Sequence, residues 1–354
     1  MTSAQTPSNR SASLTGVVIF LAIAVLGLFY VKWFPYYNRA FVAASQHSIG
    51  KSILMGTAAS APAPSWQAAI DYAIAYGKAI WQAMVLGLLL GSAVQALIPP
   101  QWVARVLGKS GFGSVVNGGL MSLPGMMCTC CAAPVVAGLR ARQAAPGAAI
   151  AFWLGNTVLN PATLIFMGFV LGWQWMGLRL ALGVLMVFGL GYAVNRMVTP
   201  KEAEASRSEM AKLVTAEDPG TAFTRWVRIL GRMTIRLVPE YIVLVLVLGA
   251  ARAWLFPHIG PNIDNSVLWI VGLAIAGTLF VIPTAGEVPI IQAMLSLGMS
   301  VGPAGALLMT LPPVSLPSVA MLGRSFPPRV LTFVAVAVVG FGVAAGLLAV
   351  ALGF

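Results

Sequence analysis

The chain has 354 residues, of which 59% are hydrophobic and only 8% are charged. A soluble core cannot absorb that much apolar sequence, so the composition excludes a soluble globular protein and predicts an all-α polytopic membrane protein. The net charge of +12 does not indicate nucleic-acid binding, because Lys and Arg lie mainly at the ends of apolar runs. In that position they mark the cytoplasmic side of a membrane.

A membrane span requires about 20 mostly apolar residues. The apolar segments run, in chain order, over residues 14–31, 79–98, 112–139, 146–172, 176–195, 236–256, 266–297, 303–322 and 330–353. Residues 14–31 lack a cleavage pattern and are expected to form an uncleaved helix. The predicted organisation is an N-terminal transmembrane helix with a connecting segment (1–65), a first repeat (66–195), a charged cytoplasmic linker (196–235) and a second repeat (236–354).

Helix-breaking residues recur at nearly one spacing, which predicts an internal duplication. Gly91 to Pro99 corresponds to Gly249 to Pro257 at an offset of 158, Ala132-Ala-Pro134 to Glu287-Val-Pro289 at 155, and Asn160-Pro161 to Leu316-Pro317 at 156. Repeats of this size are common in secondary transporters, whose substrate site lies where the halves meet.

Segments 112–139 and 266–297 decide how the repeats are related, because each has Pro or Gly near its middle. If both cross the membrane, the repeats are parallel; if both are re-entrant hairpins, the repeats are inverted. The hairpin arrangement places these cations on the cytoplasmic side, as the charge rule prefers: Arg105, Lys109, Arg140, Arg142, Arg196, Arg324 and Arg329. We therefore favour inverted repeats with broken or re-entrant helices at the centre. Arg179 is an exception, and Lys32, Arg39 and Lys51 fit the charge rule poorly.

All three cysteines lie in the run Cys128-Thr129-Cys130-Cys131, between Pro124-Gly125 and Pro134. Thiolates are soft ligands that favour thiophilic centres and soft metals. The run therefore predicts binding of a thiophilic substrate or metal ion. If the run is locally extended, Cys128 and Cys130 point to one side and Cys131 to the other. The ordinary alternative is that the cysteines are small packing residues.

Glu287, in the run from Ile282 to Pro289, is the second predicted site residue. An acid at membrane depth costs about 2.5–3.5 kcal/mol on insertion scales, so it is normally functional. We expect Glu287 to couple transport to protons and to contact substrate together with Thr284. The structural alternative is that Glu287 accepts backbone N–H bonds or pairs with an arginine.

Asn156 and Asn160 precede Pro161, and both substrate contact and interhelical hydrogen bonding remain open for them. The predicted helix-breaking or gating residues are Pro124, Gly125, Pro134, Pro161, Pro283, Gly286, Pro289 and Pro317. His47 and His258 have no spacing that suggests a metal pair. The sequence has no Walker loop, dinucleotide fingerprint or hydrolase motif, so we expect a gradient-driven protein that is not an enzyme and has no cofactor.

Four segments of the chain together resemble the ArsP-type predicted permeases. They are the cysteine run, the segment from Gly147 to Ala162, the run Pro-Thr-Ala-Gly-Glu-Val-Pro at 283–289 and the run Leu-Pro-Pro-Val-Ser-Leu-Pro-Ser at 311–318. The resemblance covers about residues 75–350. It implies a bacterial inner-membrane protein that exports trivalent organoarsenicals, holds them by Cys128, Cys130 and Cys131, and releases them outward against protons. The family commonly carries Cys-x-Cys followed by a small residue, so the third thiol leaves the substrate open.

The expected partners are a small thiophilic substrate and the lipid bilayer, with a homo-oligomer left open and no nucleic acid. A membrane thiol–disulfide relay is the alternative from another functional class. Such relays usually need Cys-x-x-Cys geometry or a cysteine in each half, and the second half has none. A scaffold subunit is a third alternative, which a buried Glu and broken helices in both halves argue against.

Overall fold

A computed structural model describes residues 7–55, 61–199, 221–256 and 259–354. Most of the charged run in the predicted linker (200–220), Pro257 of the first repeat pair and His258 lie outside these ranges. Within them the chain is helical and has no β-strand, which confirms the all-α fold class.

The N-terminal segment contains α1 (Pro7–Leu28), a π-helical turn (Phe29–Trp33) and α2 (Phe34–Gln46). The first half contains α3 (Trp66–Leu97), α4 (Pro100–Leu107), α5 (Phe112–Ser122), a 3-10 turn (Leu123–Gly125), α6 (Thr129–Ala141), α7 (Pro146–Val158), α8 (Pro161–Val170) and α9 (Trp173–Met197). The second half contains α10 (Ala222–Leu255), α11 (Val267–Leu279), α12 (Glu287–Ser296), α13 (Val301–Thr310), α14 (Leu316–Leu322) and α15 (Pro328–Ala351).

The described helices make this a multi-pass membrane protein. Six helical segments are long and apolar enough to cross a bilayer: Thr15–Gln46, Trp66–Leu97, Pro146–Val170, Trp173–Met197, Ala222–Leu255 and Pro328–Ala351. Large apolar side chains cover the outside; Leu268 is 81% exposed and Leu26 is 68% exposed. Exposed apolar surface on this scale is stable only in contact with lipid or a partner.

Three predicted boundaries are wrong. The first helix continues past residue 31 to Gln46. The helix predicted from residue 79 begins at Trp66, because the Ser65 hydroxyl accepts from the Ala68 amide and caps it. α10 begins at Ala222, inside the predicted linker, with the Thr221 hydroxyl as its cap. Polar residues in these stretches lower the hydropathy without ending the helix.

Segment 112–139 forms a helical hairpin. It consists of α5 and α6 separated by a helix break at residues 123–128. The Ala145 amide, just after α6, donates to the Leu107 carbonyl, just before α5, at 2.7 Å. The segment therefore enters and leaves at one end of the molecule. Arg142, after α6, donates to the Gln95 carbonyl near the end of α3. We call this end, marked by Leu107, Gln143 and Met197, the basic end.

Segment 266–297 is a second hairpin, formed by α11 and α12. The Ser300 amide, after α12, donates to the Ile263 carbonyl, before α11, at 3.0 Å. α10 begins beside the end of α3, where Arg225 donates to the Ala96 carbonyl, and it ends where Arg252 stacks on the Tyr72 ring. α10 thus leads away from the basic end, and the second hairpin starts from the opposite end, marked by Gln46, Asp264 and Ser296.

The two hairpins therefore enter from opposite ends, which is the arrangement that inverted repeats predict. α5, α7, α8 and α9 begin at residues 112, 146, 161 and 173, and α11, α13, α14 and α15 begin at 267, 301, 316 and 328, each 155 residues later. This constant offset supports the duplication, which itself stays a prediction.

Cysteine labelling tests the hairpins. In a background whose native cysteines are replaced, cysteines introduced at the exposed positions Lys109 and Gln143 should react with a membrane-impermeant maleimide from the same side. Cysteines introduced at Asp264 and Ser296 should both react from the other side. If 109 and 143 label from opposite sides, segment 112–139 is a full span.

Close packing of α3 on α6 provides a stability test. A Cβ added at Gly87 would lie 2.2 Å from the Cys131 carbonyl oxygen, whereas one added at Gly77, on the same helix, meets nothing within 4 Å. Gly87→Ala should therefore destabilise the protein by about 1–3 kcal/mol, as overpacking does. Gly77→Ala should be neutral or stabilising, because Ala is the better helix former. Thermal unfolding in detergent measures both variants.

Candidate functional site

The tip of the first hairpin is the helix break at residues 123–128. The Pro124 carbonyl accepts a hydrogen bond from the Trp33 indole at 2.8 Å. Gly125 packs against Asn156 so closely that a Cβ there would lie 2.3 Å from its Oδ1. Met126 has φ 47°, a left-handed conformation that is costly for a residue with a side chain. Contacts from other segments therefore hold this tip in a conformation that local sequence does not favour.

The cysteines arrange differently from the extended geometry predicted for them. Cys128 is the N-cap of α6, and the following residues are helical. Residues three apart share a helix face, so the Cys128 thiol donates to the Cys131 sulfur at 2.8 Å. The Cys130 sulfur instead lies 3.6 Å from the Ser315 hydroxyl, in the second half. All three thiols are free and buried.

A three-cysteine metal site is not formed. Among the described residues, no group of three or more His, Cys, Asp and Glu side chains is placed to hold a metal ion. The sulfurs of Cys128 and Cys131 are adjacent, and Cys130 points to Ser315. The chemistry available here is therefore that of a dithiol pair.

The tip of the second hairpin is the break at residues 280–286. Two tyrosines of α3 hold it: Tyr72 donates to the Val281 carbonyl at 2.5 Å, and Tyr76 donates to the Ile282 carbonyl at 3.4 Å. Ala285 has φ 63°, again left-handed. The sequence analysis missed both tyrosines, because both precede residue 79, where the predicted apolar segment begins.

Glu287 forms an ion pair across the two halves. Its Oε1 lies 2.7 Å from Nη1 of Arg179 on α9, and both side chains are almost completely buried. The structural alternative considered for Glu287, pairing with an arginine, is therefore what the structure contains. Glu287 Oε2 has no hydrogen-bond partner among the described residues. The pair also accounts for Arg179, the exception to the charge rule.

The break between α7 and α8 explains why an arginine is needed here. Pro161 has no N–H, so the Thr157 carbonyl loses its helical partner. Asn160 Oδ1 accepts from the Ala162 amide at 3.1 Å, which leaves the Val158 carbonyl free as well. The Arg179 guanidinium donates to the carbonyls of Thr157 and Val158 at 2.7 and 3.1 Å. One side chain thus satisfies the broken helix and binds Glu287.

The two predicted asparagines have structural roles in this conformation. Asn160 caps α8 through its Oδ1. Asn156 donates to the Phe152 carbonyl at 2.9 Å and packs on Gly125. Asn156 Oδ1 and Asn160 Nδ2 have no partner among the described residues.

The predicted helix breakers lie at or near the interruptions. Pro124, Gly125, Pro283 and Gly286 lie at the two hairpin tips, Pro161 and Pro317 lie in the first turns of α8 and α14, Pro289 lies in the first turn of α12, and Pro134 lies inside α6.

A small cavity brings three predicted site residues together. Cys128, Thr284 and Glu287 line it, together with Met127, Thr157, Thr163, Ile282, Pro283, Ala285 and Pro312. Cys130, Cys131, Asn156 and Asn160 do not. Because residues 127–163 and 282–312 belong to different halves, the cavity lies where those halves meet.

Lys32 is a site residue that sequence reasoning did not assign. It lies in the π-helical turn, is only 3% exposed, and donates to the hydroxyls of Thr284 at 3.1 Å and Tyr36 at 3.3 Å. The signal available in the sequence was an ammonium group next to an apolar run, which indicated only a poor fit to the charge rule.

Comparisons with known proteins identify a family of predicted permeases. Residues 65–351 match the ArsP_1 family model, described as a predicted permease. The chain is 52% identical over 331 residues to UPF0718 protein YraQ of Escherichia coli (strain K12), a match that covers 94% of each chain. It is also 25% identical over 127 residues to UPF0718 protein YcgR of Bacillus subtilis (strain 168), covering 34% of this chain and 43% of that protein. No solved structure matches.

The ion pair predicts a double-mutant result. Arg179→Met leaves a buried carboxylate without a partner and should destabilise the protein by about 3–5 kcal/mol. The double variant Arg179→Met, Glu287→Gln should cost less than the sum of the single changes, because it removes both charges. Unfolding in detergent measures all three variants; additive effects would show that the two side chains do not interact.

Proposed function

This chain belongs to the ArsP_1 predicted permease family, and on that premise we propose that it is a secondary transporter for a small thiophilic substrate, such as a trivalent organoarsenical. The observation that carries the proposal is the cavity where Cys128, Thr284 and Glu287 meet between two broken hairpins. Discontinuous helices near the middle of the membrane form the substrate sites of many secondary transporters.

The dithiol pair supports a soft substrate. The Sγ atoms of Cys128 and Cys131 lie 2.8 Å apart. Both sulfurs can therefore reach one arsenic or soft-metal centre without rearrangement of α6. Cys128 also lines the cavity. Thiolates prefer soft centres over Mg²⁺ or Ca²⁺. The substrate is cargo in this proposal, and no resident metal or cofactor is required.

The Arg179–Glu287 pair supports coupling to protons. Protonation of Glu287 removes its negative charge and so breaks the ion pair that joins α9 to the tip of the second hairpin. The tip would then be held less tightly, while Arg179 keeps its carbonyl acceptors. We therefore assign the coupling role to Glu287. The proposed location is the bacterial inner membrane, with the basic end in the cytoplasm, as the charge rule prefers. The proposed direction of transport is export.

The transport test uses everted membrane vesicles and methylarsenite. Wild-type vesicles should accumulate it faster when a proton gradient is present. Cys128→Ser and Cys131→Ser should each lower initial uptake at least ten-fold, because each removes one of two sulfur ligands. Cys130→Ser should lower it much less, since Cys130 contacts Ser315 instead of the other sulfurs.

Glu287→Gln should abolish the gradient dependence while leaving the protein folded. If all three cysteine variants and Glu287→Gln transport at the wild-type rate, the site assignment is wrong.

A thiol–disulfide relay is the second candidate, and one observation favours it. Cys128 and Cys131 have Cys-x-x-Cys spacing at the start of a helix, a common arrangement for redox-active cysteines. Forming a disulfide would release two protons and two electrons, which a quinone or a partner disulfide must accept. Trapping of thiols in cells distinguishes the candidates: a relay cycles Cys128 and Cys131 between oxidised and reduced forms, and a permease keeps them reduced.

A further inference from the structure

A second, larger cavity adjoins the candidate site. It extends between the N-terminal helices, α3 and the tip of the second hairpin. Its described lining includes Lys32, Arg39 and Lys51 and no acidic residue. Arg39 and Lys51 are exposed. Lys51 is four residues after His47, whose carbonyl accepts a hydrogen bond from the Gln292 side chain close to the opposite end. We call this space the basic vestibule.

The basic vestibule shares a wall with the small cavity. Pro283, Thr284 and Ala285 line both the vestibule and the small cavity that contains Cys128 and Glu287. Lys32 Nζ donates to the Thr284 hydroxyl at 3.1 Å, at this shared wall. Lys32, in the vestibule, and Cys128, in the small cavity, therefore lie on the two sides of this wall.

In the part of the chain that the structure describes, the Lys32 ammonium forms no ion pair with a carboxylate. Its side-chain partners are the neutral hydroxyls of Thr284 and Tyr36, and it stacks over the Tyr36 ring at 5.2 Å. Among the described residues, Arg179 and Glu287 form the ion pair of this region, and no carboxylate lies within 4.0 Å of Lys32 Nζ. A buried ammonium without a carboxylate partner is costly at membrane depth and is normally kept for function.

Membrane topology does not explain these cations. The charge rule accounts for Lys and Arg at the basic end, whereas Lys32, Arg39 and Lys51 line a space that extends toward the opposite end. The three residues that fit the charge rule poorly are the three cations of the vestibule. All of them precede residue 65, where the match to the permease family begins.

We propose that the basic vestibule selects an anionic substrate, so that the cargo is a small molecule with both a thiophilic centre and a negative charge. Arg39 and Lys51 attract the anion at the mouth, and Lys32 binds its negative charge beside Cys128. This inference rests on the proposed function and adds the charge of the substrate. The N-terminal segment thereby supplies the recognition of charge, and the family region supplies the recognition of the soft atom.

The experiment compares two probes with the same arsenic centre: neutral phenylarsine oxide and its 4-carboxyphenyl analogue, which carries one negative charge. In everted vesicles, the wild-type protein should transport the carboxylated probe faster. Lys32→Gln should lower the ratio of the two initial rates, anionic over neutral, at least ten-fold. The double variant Arg39→Gln, Lys51→Gln should lower the same ratio about three-fold at low salt and less at 1 M salt, since exposed charges are screened.

Lys109→Gln, which removes an exposed cation at the basic end, is the matched control and should leave the ratio unchanged. Unfolding in detergent checks that Lys32→Gln is folded, and the two mouth substitutions test the inference without altering a buried residue. Equal rates for both probes in all variants would overturn the inference and leave the proposed function intact. Failure of wild-type vesicles to transport either probe would instead overturn the proposed function.

Discussion

Unpaired backbone groups at membrane depth are the constraint on which this structure depends. A lipid-exposed carbonyl or amide without a partner costs several kcal/mol, so a helix can be interrupted inside a membrane only where protein groups replace the lost bonds. Arg179 does so at the break between α7 and α8, where it takes the two carbonyls that Pro161 and the Asn160 cap release. Because a guanidinium has five donors, it can also hold the Glu287 carboxylate. One buried charge pair therefore stabilises an interruption in one half and the tip of a hairpin in the other.

The same constraint makes the two halves depend on each other. The second tip is held by hydroxyls of α3 in the first half, through Tyr72 and Tyr76. The start of α6 contacts Ser315, at the interruption between α13 and α14 in the second half. The second tip would lose these hydrogen bonds if its own half were isolated, because Tyr72 and Tyr76 belong to the first half. A site at such a meeting place changes shape whenever the halves move relative to each other, which is what a transporter requires.

Local chemistry determines which parts of this arrangement the sequence reveals. Proline lacks an N–H and disfavours the helix before it, so the interruptions at the two tips were predictable from the sequence alone. The sequence also predicted a site where the two halves meet. Of its seven predicted residues, three line one cavity (Cys128, Thr284 and Glu287), and four do not (Cys130, Cys131, Asn156 and Asn160). The pairing of Arg179 with Glu287 joins residues 108 positions apart and depends on packing that no local pattern encodes. The side-by-side sulfurs of Cys128 and Cys131 were missed because the run was expected to be extended, whereas the cap at Cys128 starts a helix there.

Met126 and Ala285 lie one at each hairpin tip, and both have backbone angles in the left-handed region. For a residue with a side chain this conformation costs about 1–2 kcal/mol, and glycine would avoid the cost. The backbone of each tip is therefore strained. Its contacts hold it in this conformation, and it can relax when they are released. Rocking of one half against the other, which alternating access demands, would meet the least resistance at these two residues. Part of the free energy for such a movement would then be stored in the backbone of Met126 and Ala285.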